Sequence, residues 1–361
     1  MNVLFSIRGN EPYVSQQAQI ELMIGLKKHG ANTLIIGNFS NEVETHLKTL
    51  NINYEKVFPK KSIDKNFIND FKTLIEKHQI DLVHSIDGKS TRNALIALKK
   101  SAVKIVTYFG STSLHWYDPS SYLTYLNPRI DAIICNSQYV YNHVKNQLFG
   151  KKKLKAVRIY KGYNPEWFVD SSSKDLKEFS IPKDAIVVSL VGNHRKVKGI
   201  KYFLESSYYL ESDKNIHYLL IGDKTDHPDF QKIKDNSPIS DKIHLLGQRN
   251  DVVSILKSTD IYTQTSLEEG FGRAISEAMS IGKPIIMTDA GGCTELIDEN
   301  SGIIVLKKDS KSIAKAISKL ANDDSLRIQM GVNAKNRIKN VYHIEKTVND
   351  TLSLYQRLLN S

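Results

Sequence analysis

Residues 266–306 read SLEEGFGRAISEAMSIGKPIIMTDAGGCTELIDENSGIIVL, and their pattern decides the fold: loop, helix, strand, glycine turn, strand. Glu268-Glu269-Gly270-Phe271-Gly272 is a polar turn bracketed by glycines, which leaves its backbone amides open. Good helix formers then run over 273–281 until Gly282 and Pro284 stop them. At about 100° per residue, Ala274, Ile275, Ala278, Met279 and Ile281 share one apolar arc. Glu277 falls at the edge of that arc, where a carboxylate needs a partner.

Glu269 and Glu277 are eight residues apart, roughly 12 Å along a wholly helical path. That is comparable to the reach from sugar to ribose in a nucleotide sugar. The helix N-terminus between them offers free N–H groups and partial positive charge, which suit a diphosphate. Two carboxylates at this spacing alone would equally describe a surface turn and an amphipathic helix with a solvated Glu. The whole run of about forty residues is more specific. Glu269-x7-Glu277 inside EGFGRAISEAM, followed by GKPIIMTDAGGCTELI, resembles the donor-site signature of retaining nucleotide-sugar glycosyltransferases of family 4.

The resemblance implies an α/β chain of the GT-B fold, two Rossmann-like domains with parallel sheets facing across a cleft. It also implies retention of anomeric configuration by front-face attack, the departing phosphate oxygen helping to accept the acceptor proton. In that scheme Glu269 and the backbone of Gly270, Phe271 and Gly272 meet the donor sugar and phosphates. Glu277 holds ribose hydroxyls, and Gly291 and Gly292 line the same cleft. A glycosidase also works with two carboxylates, but these two belong to a donor motif and are not assigned as acid and nucleophile.

Residues 192–199, GNHRKVKG, form a basic loop bracketed by glycines after an apolar strand, a place suited to phosphate oxygens. The loop resembles the family's diphosphate clamp, with Arg195 and Lys198 as its cations. Two cations and a helix N-terminus stabilise a departing nucleoside diphosphate without a metal. No Asp-x-Asp occurs, so the manganese motif of the other large glycosyltransferase fold is missing and no metal or cofactor is expected beyond a UDP-, GDP- or ADP-sugar co-substrate. Asp223, Asp226, His227 and Asp229 read as a solvated acidic turn.

A chain of 361 residues with 40% apolar content supports two cores. The expected division is 1–165 as the acceptor domain, 166–340 as the donor domain, and 341–361 as a helix crossing back to the first. Short apolar strands alternate with amphipathic helices in both halves: strands at 2–7, 32–36, 82–85, 103–108 and 132–135, then at 186–191, 218–221, 243–246 and 261–263. That rhythm predicts parallel sheets covered on both faces. Lysines, Gly162 and Pro165 mark residues 151–165 as the connection. Residues 118–128 read as a helix capped by Asp118 and stopped by Pro128.

The first half departs from the family pattern. Arg8-Gly9-Asn10-Glu11-Pro12 follows the first strand where paired glycines are usual, and Tyr108-Phe109-Gly110 stands where many members carry a histidine. Arg8, Gly9 and His115 are the acceptor-side candidates, His115 as a substitute for that histidine.

Charge is lopsided: residues 1–165 hold 23 Lys and Arg against 12 Asp and Glu, whereas residues 166–361 hold 27 of each, so the whole +11 lies in the first part. An anionic membrane surface is a candidate partner of that part through Lys60-Lys61, Lys99-Lys100 and residues 151–155, each of which also reads as a solvated surface. No nucleic-acid-binding motif is present. Cys135 and Cys293 have no CxxC partner, which excludes a disulfide framework and a cysteine zinc site. The opening MNVLFSIRGN is too short an apolar run for a signal peptide, and no stretch approaches about 20 apolar residues. A cytoplasmic enzyme is expected, peripheral at the inner face of the membrane, transferring sugar to a cell-envelope glycan or lipid-linked acceptor. The alternatives are a non-hydrolysing nucleotide-sugar epimerase and a nucleotide-sugar-binding protein that has lost catalysis.

Overall fold

The computed structural model describes residues 1–7, 9, 11–210 and 215–361, which divide into two compact units, Met1–Gly162 with Ile344–Ser361, and Tyr163–His343. The chain leaves the first unit at Gly162 and returns at Ile344, a few residues from the expected 165 and 341.

The first unit holds seven strands: β1 (Asn2–Ser6), β2 (Asn32–Ile36), β3 (Asn53–Glu55), β4 (Leu82–Ser85), β5 (Lys104–Phe109), β6 (Ala132–Cys135) and β7 (Ala156–Arg158). They pair in the order β3-β2-β1-β4-β5-β6-β7, every pairing parallel. Leu4, Ile36, Val83, Ile105 and Ile133 from the strands meet Phe67, Phe71 and Leu74 from helix Lys65–Lys77 in one core. Helix Ile344–Leu359 closes this unit. Its Tyr355 hydroxyl lies 2.6 Å from His84 Nδ1 on β4, both side chains buried. A Cβ at Gly25 of helix Tyr13–Lys28 would meet Val348 at 2.3 Å, so the two helices pack closely there.

The second unit has β8 (Ile186–Val191), β9 (Ile216–Ile221), β10 (Ile243–Leu245), β11 (Ile261–Gln264), β12 (Ile285–Thr288) and β13 (Gly302–Val305), in the order β10-β9-β8-β11-β12-β13, again all parallel. The strand order reverses between β1 and β4 and between β8 and β11. Those switch points are where open α/β sheets leave a crevice beyond the strand ends.

Several elements differ from the sequence reading. β3 has no apolar run because it is a three-residue edge strand, and the preceding helix Asn41–Thr49 buries only Val43 and Leu47. The lysine-rich connection contains β7, which pairs with β6 and belongs to the first unit. Residues 118–128 form only a short 3₁₀ turn, Pro119–Leu123, although Asp118 caps it by accepting from Ser120 N–H at 2.9 Å. The acidic turn near 223–229 leads into a helix, Pro228–Asp235. Among the described residues no helix is long and apolar enough to cross a membrane.

Burial lowers four histidines below their ordinary value, His46 among them. It lowers His84 to about 3 and His244 to about 4, the latter helped by neighbouring His217, whose own value burial also lowers. Unfolded histidine titrates near 6.5, so below that pH the unfolded chain binds the extra protons. The stabilisation is complete above about pH 6.5 and drains away as pH falls through 4 toward 3. Urea midpoints should therefore drop between pH 7 and pH 5, a window above ordinary carboxylate titration, and His244→Gln should flatten the drop. Equal midpoints at both pH values for the wild type would refute this account.

Candidate functional site

Three loops converge at the strand ends of the second unit, those following β8, β11 and β12. The first carries the basic run, and its short turn Lys196–Lys198 ends at Gly199, whose φ of +59° suits glycine. A Cβ there would sit 1.9 Å from Thr265 O, so the loop lies directly on the backbone beyond β11. Thr265 Oγ1 donates to Gly199 O at 3.0 Å and Leu267 N–H to Val197 O at 2.8 Å, which stitches the two loops together. The third loop is stitched in at Glu269, whose N–H donates to Ala290 O at 2.7 Å and whose carbonyl accepts from Gly292 N–H at 2.9 Å. Gly291, at φ +90°, turns the chain to make that bridge.

This framework brings together Lys198 and Glu269, 71 residues apart in sequence: Lys198 Nζ stands 2.7 Å from Glu269 Oε2. Behind the carboxylate runs a buried chain of hydrogen bonds that the sequence reading missed. Tyr262 hydroxyl donates to Gln264 Oε1 at 2.8 Å, and Gln264 Nε2 donates to Ser266 Oγ at 2.8 Å. Ser266 Oγ in turn donates to Glu269 Oε2 at a longer 3.5 Å. The signal available was a run of polar residues, Thr263 to Ser266, continuing a strand buried on both faces. Such a run reads as a turn unless its partners are known.

Helix Arg273–Ser280 starts at Gly272, at φ +101°, with its first amides following the Glu269 turn. Glu277 is 5% exposed, deeper than the edge position expected for it. Its Oε1 lies 3.6 Å from Arg273 Nε, one turn earlier. Burial raises the Tyr262 hydroxyl well above the usual tyrosine range, and the Glu277 carboxylate adds to the effect. Phe271 is buried with its ring edge-on to Tyr342 at 5.7 Å, so the turn presents backbone at that position, with the aromatic face turned inward. Cys293 is buried beside Gly292, and burial with the Glu269 charge pushes its thiol up to about 12, leaving it unreactive.

Arg195 is exposed, its Nε donating to Asn193 Oδ1 at 3.1 Å. Arg8 lies outside the described residues, and Gly9 is an exposed loop residue of the first unit. His115, also in the first unit, stacks on Tyr117 at 5.0 Å and meets His143 edge-on at 5.6 Å.

Of the residues weighed as an acidic turn, His227 and Asp229 join His194 in one group of metal-capable side chains. The two rings stack 4.2 Å apart at 18°, and near-parallel rings at that separation do not share one in-plane ion. His227 Nδ1 instead accepts from Asp229 N–H at 3.2 Å, capping helix Pro228–Asp235.

Similarity to known proteins extends over both units. Residues 171–337 match the family model of Glycosyl transferases group 1, and residues 20–167 match that of Glycosyltransferase Family 4. An Escherichia coli UDP-Gal:alpha-D-GlcNAc-diphosphoundecaprenol alpha-1,3-galactosyltransferase is 29% identical over 306 residues, covering 81% of this chain and 79% of the relative. A glycosyltransferase from Rickettsia africae superposes with a TM-score of 0.84 at 21% identity, over 100% of this chain and 99% of that one. Anabaena HepE in complex with UDP and glucose superposes at 0.83 and 18% identity, over 99% and 100%.

The Gly199 contact generates a direct test. Gly199→Ala combines a left-handed backbone with a clash against main chain, so it should lower unfolding stability by about 2 kcal/mol or more. Gly192→Ala in the same loop, where a Cβ meets nothing nearer than 3.4 Å, should cost far less. Similar urea midpoints for the two variants would mean that the loops are not locked together at Gly199.

Proposed function

Because the chain belongs to the GT-B glycosyltransferases of the family 4 type, we propose that it is a retaining, metal-independent transferase that moves a sugar from a UDP-sugar to a lipid-linked cell-envelope glycan. The observation that carries the reading is the Lys198–Glu269 pair, set where three loops meet beyond the ends of β8, β11 and β12. The names of the similar proteins, with UDP-Gal, UDP and a diphosphoundecaprenol acceptor among them, support the donor and acceptor classes.

In this proposal Glu269 keeps Lys198 in place until the diphosphate arrives, and the lysine then turns to the phosphate oxygens. Arg195, exposed on the same loop, supplies a second cation, and the amides at the start of helix Arg273–Ser280 complete the phosphate site. Glu269, released from the lysine but still held by Ser266, meets the donor sugar beside the Gly270 to Gly272 backbone. Glu277 takes the ribose hydroxyls, with Gly291 and Gly292 bordering the same site. Front-face attack then passes the acceptor proton toward the leaving phosphate oxygen. The excess positive charge of residues 1–165 is assigned to a peripheral position on the inner face of the membrane, beside the lipid-linked acceptor.

Lys198→Ala should weaken UDP binding by roughly 10- to 100-fold, the range of a lost charge-assisted hydrogen bond, while hardly changing uridine binding. Part of that loss would come from the uncompensated Glu269 carboxylate repelling the diphosphate. The double variant Lys198→Ala/Glu269→Gln should therefore recover some UDP affinity in calorimetry. Equal losses for UDP and uridine would reject the phosphate role. Glu277→Gln, which keeps the shape of this buried side chain, should reduce UDP affinity more than that of 2′,3′-dideoxy-UDP. Product analysis with and without acceptor decides the reaction class, since epimer formed without acceptor would overturn transfer as the primary activity.

A further inference from the structure

The first unit exposes an unusual group of side chains at one place. Trp116 is 52% exposed, Tyr117 66%, Phe149 59% and Leu154 82%. The three rings form one connected surface although Trp116 and Phe149 are about thirty residues apart, and Leu154 is exposed in the turn that follows Phe149. Trp116 meets Phe149 edge-on at 6.1 Å and Tyr117 at 5.9 Å. The Trp116 N–H donates to Gln147 Oε1 at 3.0 Å, and His143 Nε2 lies 2.7 Å from Leu114 O, so helix Gln138–Gln147 fixes the loop against Phe149. Single exposed apolar residues are ordinary, but a rigid cluster with two indole or phenol rings at its centre is characteristic of an interaction surface.

Charge at the same place narrows the partner. Phe149 leads into the 3₁₀ turn Gly150–Lys155, and Lys151, Lys152 and Lys153 are all exposed. Side chains three apart eclipse in a 3₁₀ turn, which sets Lys151 over Leu154. Lys155 is different: its Nζ donates to Pro128 O at 2.8 Å and to Ile130 O, and burial lowers its pKa. It anchors the turn from below and leaves three lysines facing outward. No acidic side chain lies in residues 132–165.

We propose that this surface is the membrane anchor of the chain, with Trp116, Tyr117, Phe149 and Leu154 entering the headgroup region of an anionic bilayer while Lys151, Lys152 and Lys153 pair with lipid phosphates. Aromatic rings with one polar edge favour that depth, and one weak apolar contact plus a polybasic patch gives the two signals that reversible anchoring needs. The proposal deepens the peripheral-membrane reading above and rests on it. It adds which residues enter the lipid.

The chain has two tryptophans, Trp116 and Trp167. The full-length Trp167→Phe variant therefore makes Trp116 the sole indole reporter. Vesicles rich in phosphatidylglycerol should shift its emission to the blue, and brominated acyl chains should quench it. Phosphatidylcholine vesicles should do so only weakly. At about fivefold per lysine, Lys151→Gln/Lys152→Gln/Lys153→Gln should reduce partitioning onto anionic vesicles about a hundredfold. Trp116→Ala/Phe149→Ala should reduce it on vesicles of any charge, with UDP affinity unchanged in both variants. Wild-type protein that binds anionic vesicles without quenching of Trp116 would overturn this surface but leave membrane association standing. Protein that binds no vesicles at 50 mM salt would overturn both.

Discussion

The contact of Gly199 with Thr265 O is the constraint on which the rest of the candidate site depends. Parallel strands β8 and β11 pair directly, so the loops leaving their carboxyl ends start side by side and would diverge unless something holds them. A residue without a Cβ lets one backbone rest on the other. Once it does, the side chain just before it, Lys198, has only a short distance to cover to Glu269. The ion pair is a consequence of the backbone approach, and its strength is secondary to its position.

The same logic explains why the polar chain from Tyr262 to Ser266 is tolerated in a buried strand. A carboxylate close to a hydrophobic core is costly unless its oxygens are engaged. Glu269 is supplied from the solvent side by Lys198 and from the core side by Ser266, which Gln264 and Tyr262 hold in turn. Both donors converge on Glu269 Oε2, so the network fixes that oxygen. Glu277, on the neighbouring helix, has Arg273 one turn away, and its charge is felt at Tyr262.

Much of the second unit was legible because its chemistry is local in sequence. Residues 266–306 contain the carboxylate, the helix start, the second carboxylate and the glycine turn in one run, and the helix start and the glycine turn were legible from that run as a whole. The parallel sheets were legible for a similar reason, since buried strands such as β9 are continuous apolar runs. What failed was edge and surface structure: β3 and β7 each have three residues and no apolar run, and the turn at 118–128 was read as a longer helix. Arg195 was matched by its charge within the loop, yet its guanidinium bonds to Asn193 in this structure, because a loop motif fixes which residues are near without fixing where a long side chain points.

The first unit shows the opposite case, in which an exposed aromatic surface comes from distant segments. Trp116 and Phe149 are separated by a whole strand and helix, so neither carries a pattern that a window of sequence would reveal. The lysine run at 151–155 was conspicuous in sequence, but counting its charges treated four residues as equivalent. Three point to solvent, and the fourth spends its donors on Pro128 and Ile130 carbonyls, holding the turn in place. A patch of charge becomes a surface with a direction only when one of its members is fixed to the fold. Lys155 supplies that fixed point, as Gly199 does for the loops of the other unit.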